Sequence, residues 1–157
     1  NDTNVMVNSS WATNTYERVQ SMKIANGLLF AGLGSGAGDA EVWRWNGTTW
    51  GGATVGGDGV GSGASWNAAG DVVRESVRTM TFIGSVMYVG LGDTNDGGAN
   101  ADAEVWSCSN CMTIGATPAW TKIGGDGVGW DNSTYEQVTS ISGFKGRLFA
   151  TLGTNNS

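Results

Sequence analysis

The sequence predicts an all-β protein built from tandem four-stranded repeats, and three observations carry that prediction. One Trp- and Gly-rich phrase is written twice in full and once in half, with Val19, Val77 and Val138 marking copies 58 and then 61 residues apart. Turn signals such as Asn26-Gly27 and Asn46-Gly47 separate short apolar runs. No segment has the apolar spacing of an amphipathic helix. Such a period marks a repeat architecture, in which one unit cannot bury its own apolar faces and must stack on its neighbours.

Within the first copy, strand one is expected from about Glu17 to Ile24, followed directly by the Asn26-Gly27 turn. Strand two, Leu28 to Leu33, is apolar on both faces and so reads as covered on both sides. Its Gly32, with Gly34 after it, implies close backbone approach or a bulge. Strand three, Ala40 to Trp45, leads into Asn46-Gly47, and strand four carries Trp50 and runs to about Val55. The second copy repeats the plan through Glu75-Ser76-Val77, Met87 to Gly92, Asp102 to Trp106, Trp120 and Gly124 to Val128. A third begins at Glu136-Gln137-Val138 and runs through Gly146 to Gly153.

The expected organisation is one repeat domain over 1–157. Residues 1–15 are the tail of a preceding unit, 16–60 unit one with a 61–74 connector, 75–134 unit two, and 135–157 the first half of unit three. Four antiparallel strands per unit of this length is the pattern of a β-propeller blade, giving an incomplete propeller of two units plus a half. The phrases Ala31 to Gly34, Asp39 to Trp43 with Asp102 to Trp106, and Ile123 to Gly127 resemble the Trp-rich tandem repeats of bacterial surface and secreted proteins. In Trp and Gly content, and in its Gly-flanked apolar strands, the chain is also similar to lectin propellers of the tachylectin type. The resemblance implies a propeller fold and an extracellular role in recognition.

Composition narrows the function classes. The chain has 157 residues, 27 of them Gly and 8 Trp, with 14% charged against roughly 25% in an average soluble protein. A net charge of −6 would repel a phosphate backbone, so no nucleic-acid partner is expected. No apolar run approaches the roughly 18 residues of a membrane-crossing helix. The first residue is Asn, which reads as a processed or cut N-terminus. Cys108 and Cys111 are the only cysteines, and the chain contains no His. A thioredoxin-like site needs a helix, and a zinc site needs more ligands, so a disulfide stapling a turn in an oxidising, extracellular compartment is favoured. Sequons at Asn1, Asn8, Asn46, Asn132 and Asn155 agree with a surface setting.

The acidic candidates are the pairs Asp39/Glu41 and Asp102/Glu104, each on one side of an extended strand. Paired carboxylates can serve glycoside hydrolysis. Here they recur in both full copies, whereas a catalytic site is built once from unlike residues. A structural role is favoured, with each Glu meeting a backbone or Arg partner, and no enzyme is expected. Asp93, Asn95 and Asp96 resemble part of a calcium loop but lack the downstream bidentate Glu, so calcium stays a minor possibility beside a solvated turn.

Binding is the stronger expectation. The connecting loops carry Trp11, Trp66 and Trp130 beside Asn8, Asn67, Asp131 and Asn132. Flat rings next to amides and carboxylates suit a glycan, and three weak equivalent sites would act by avidity. The competing structural reading has these rings tucked under their own loops. A surface protein is the other partner expected for such loops; the alternative function is a subunit of an extracellular assembly, because cut repeat edges can pair with another copy or with the rest of a longer repeat chain.

Overall fold

The computed structural model describes residues 18–34, 40–48, 50, 54–57, 66, 76–92, 103–125, 128–130 and 135–154. The described residues contain ten strands and no helix, so no helix among them is long and apolar enough to cross a membrane. Strands β1 (Val19–Ala25), β2 (Leu28–Leu33), β3 (Glu41–Trp45) and β4 (Thr54–Gly56) form one antiparallel sheet in sequence order. In the second sheet β5 (Ser76–Ile83), β6 (Val86–Gly92), β7 (Val105–Cys108) and β8 (Trp120–Gly124) repeat the same meander. The hairpin of β9 (Gln137–Phe144) and β10 (Arg147–Gly153) joins it through the single pair Gly92↔Gln137. The fold is all-β and antiparallel, as the turn spacing predicts.

Local chemistry explains the hairpins. Asn26 and Gly27 have φ of 49° and 74°, and Lys145 and Gly146 have 49° and 72°, the left-handed pair required by a type I′ turn. Gly84, at φ 60°, opens the turn between β5 and β6. The Asn46-Gly47 signal resolves differently. The Asn46 side chain accepts a hydrogen bond from the Thr48 amide at 2.9 Å, forming an Asx turn instead of a two-residue hairpin. Trp50 precedes β4, which spans Thr54–Gly56.

The first strand of every unit is bulged at the same place. Register shifts leave one extra residue opposite the partner strand, at Gln20 in β1, Arg78 in β5 and Thr139 in β9. The extra residue returns the chain to the same face, so Val77, Met80 and Phe82 lie opposite Leu91, Val89 and Met87 respectively.

Each unit therefore has a front and a rear apolar face. The rear of unit one (Leu28, Phe30, Val42, Val55) packs on the front of unit two (Val77, Met80, Met87, Val89, Leu91), with the Phe30 and Phe82 rings 5.1 Å apart. The rear of unit two (Tyr88, Ala103, Val105) packs likewise on Val138, Ile141, Leu148 and Leu152. A third cluster, Ala31, Leu33, Trp43 and Trp50, belongs to the front of unit one.

Two glycines set how closely these faces approach. A Cβ on Gly32 would stand 2.7 Å from Val77, and one on Gly90 would stand 2.6 Å from Val138. Gly90→Ala is expected to destabilise the chain by about 1–3 kcal/mol through overpacking against β9, read as a lower urea midpoint with an unchanged slope.

Candidate functional site

The Asp-Ala-Glu-Val-Trp phrase builds the same local structure twice. Residues two apart share a strand face, and the Trp43 indole N–H donates to Glu41 Oε2 at 2.6 Å while that of Trp106 donates to Glu104 Oε2 at 2.7 Å. Gly57 and Gly125, at φ 117° and 119°, leave room for the Glu41 and Glu104 side chains, whose Cγ atoms would lie within 3 Å of an added Cβ. Each of these glutamates thus has an indole two residues further along the chain as a partner. Glu104 also pairs with Lys122 Nζ at 3.1 Å, from the residue opposite Trp106 on β8. Asp39, Asp102 and Glu75 lie outside the described residues.

The connector tryptophans reach back onto their own unit. Trp66 donates to the carbonyl of Ala40 at 2.6 Å, and Trp130 to that of Ala103 at 3.2 Å. Each ring lies on a glycine of its unit's last strand, Gly56 under Trp66 and Gly124 under Trp130, where a Cβ would collide with the indole. Trp66 is 2% exposed, and its ring meets Trp120 at 4.8 Å and Trp106 at 6.0 Å. The Trp120 N–H donates across the joint to the carbonyl of Val55 at 2.6 Å. A ring enclosed in this way has no open face for a sugar. Trp66 sits between two units.

Trp130 differs because it is half-buried. With Val105, Ile123, Gly124, Leu148 and Ala150 it lines a cleft of about 320 Å³ between units two and three, with polar as well as apolar surface. At the preceding joint, the corresponding space is filled by the Trp106 and Trp120 rings. The cleft presents one flat ring and aliphatic side chains beside polar backbone surface. Of the other expected binding residues, Trp11, Asn8, Asn67, Asp131 and Asn132 lie outside the described residues, as do Asp93, Asn95 and Asp96. Among the described residues no group of three or more His, Cys, Asp or Glu side chains could hold a metal ion.

Cys108 and Cys111 form a disulfide, with Cα atoms 5.7 Å apart. Both are fully buried, and Asn110 ties the turn by accepting from the Ala119 amide at 2.8 Å and donating to the Thr117 carbonyl at 2.7 Å. Sequence reasoning missed Arg44. This buried side chain of β3 donates to the carbonyls of Cys111 at 2.6 Å and Thr113 at 3.2 Å. Burial lowers the pKa of its guanidinium from the ordinary value. The signal available was a departure: Arg44 stands where the second copy has Ser107.

Glu104→Ala strands both an indole donor and Lys122, and should cost about 1.5–3 kcal/mol in chemical denaturation. The buried disulfide should resist reductant and thiol alkylation in the native state, with modification detected by mass spectrometry only after denaturant is added. No protein-family model, curated protein or solved structure matches the chain.

Proposed function

We propose that this chain is a non-enzymatic, extracellular structural module, an arc of β-propeller-type blades fused by buried indoles. The observation that carries the reading is Trp66, enclosed between two units with its N–H on Ala40 and its ring against Trp106 and Trp120. A ring placed there cements a joint. The propeller-type reading is supported by two consecutive four-stranded meanders and by first strands β1, β5 and β9 that neighbour one another in turn. The disulfide supports an oxidising compartment, and Asn46, a sequon residue, is exposed in its turn.

A second reading, glycan or surface-ligand recognition, is favoured by one observation: the half-exposed ring of Trp130 in an open cleft. The two readings part under substitution. Trp66→Ala should lose about 3–5 kcal/mol of stability and Trp130→Ala less, while a glycan array probed with the native chain stays blank. A glycan retained by the native chain and lost in Trp130→Ala would replace the structural reading with recognition.

A further inference from the structure

We infer that the front face of unit one and the rear face of unit three bind each other between copies of this chain, head to tail. The inference rests on the structural reading above and names the partner. Nine large apolar side chains are exposed among the described residues, and five of them lie on these two faces. Val19, Met22 and Ile24 on β1 are 42%, 53% and 77% exposed; Phe144 and Phe149 at the other end are 62% and 54% exposed.

The internal joints define what fits there. Val19, Met22 and Ile24 lie opposite Leu33, Ala31 and Leu29, as Val77, Met80 and Phe82 lie opposite Leu91, Val89 and Met87. Within the chain that second set is seated on Phe30 and Ala25 of unit one. Phe149 and Phe144 occupy the positions of Phe30 and Ala25 in unit three. A second copy placed with β1 against β9–β10 therefore repeats the first-hairpin part of a joint the molecule already makes, while Ala31, Leu33 and Trp43 on the rest of that front face are already buried. The polar pattern continues as well. Ser21 Oγ donates to the Val77 carbonyl at 2.9 Å, and the equivalent Thr79 Oγ1 accepts from the Ile141 amide at 3.3 Å. Ser140, exposed on β9, holds the same position facing the second copy's Val19.

Two positions depart from the template, and at one of them Arg147 replaces the Leu28 of unit one. Thr151 stands where Gly32 and Gly90 admit Val77 and Val138, so the second copy seats less deeply than an internal unit. The association is reversible and heterologous, with the same polarity at every contact.

Light scattering over a broad concentration range tests this. The native chain should gain mass with concentration. Met22→Glu/Ile24→Glu blocks the head and Phe144→Glu/Phe149→Glu blocks the tail; all four sites are exposed, and circular dichroism checks that each variant is folded. Each variant alone should stay monomeric, while their equimolar mixture should give a 1:1 dimer and nothing larger. Thr151→Gly should tighten self-association about tenfold or more. A native chain that stays monomeric at every concentration overturns the inference, as does a blocked variant that still dimerises alone, or a Thr151→Gly that associates more weakly. A monomeric native chain in which Trp66→Ala is still strongly destabilising would remove this inference and leave the structural reading standing.

Discussion

The seating of an indole on a glycine is the contact on which the rest of the architecture depends. Trp66 over Gly56 and Trp130 over Gly124 bring a long connector back onto the last strand of its own unit. Each ring then becomes part of the surface that the next unit must cover. Two apolar sheets stack best when the gap between them is filled to interior density, and a Trp side chain supplies much apolar area with few rotatable bonds. The glycine is the other half of the device, because any side chain there would lift the ring off the sheet. Trp content and Gly content, which look like two compositional oddities, are one packing solution.

Burying so many indoles creates a second requirement, since every indole carries an N–H that must be satisfied away from water. For Trp43, Trp66, Trp106, Trp120 and Trp130 the chain meets it with local acceptors. Glu41 and Glu104 serve the tryptophans two residues along their strands, and the carbonyls of Ala40, Ala103 and Val55 serve those arriving from elsewhere. The glutamates are thus explained by the tryptophans, and their recurrence in each copy follows from the recurrence of the rings. Unit two adds Lys122 to its glutamate; the matching position of unit one is Thr54.

Much of this was legible in the sequence because it is local. The period, the apolar second strand, the Asn26-Gly27 hairpin and the disulfide turn each depend on neighbouring residues. What could not be read is which way a connector turns its ring. Trp66 and Trp130 occupy matching places in the repeat, yet one is enclosed and the other half-open, because Trp106 and Trp120 close only the first joint. The Asn46-Gly47 turn does lie between the paired strands β3 and β4, but its Asx geometry, set by the Asn46 side chain, is a detail the dipeptide alone does not specify. Arg44 was invisible because its partners are carbonyls 67 and 69 residues away. Both members of that contact are departures from the repeat, the Arg in unit one and the cysteine-clipped loop in unit two, and the two departures meet.

The meeting of Arg44 with the clipped loop makes the two joints unequal in kind. Units one and two are held by packed rings, by an indole donor crossing the gap and by a guanidinium gripping a covalently closed turn. Among the described residues, unit three is joined by its hairpin packing, the ladder pair Gly92↔Gln137, the Ala103 amide donating to the Tyr135 carbonyl and the Thr79 hydroxyl accepting from the Ile141 amide. In a linear array whose stability is a sum over neighbours, the weakest joint opens first and most often. Exchange with solvent should therefore enter from β9–β10 while the pair of full units behaves as one cooperative block. Among the described residues, the two full units form the more tightly tied body and the β9–β10 hairpin the more lightly held one.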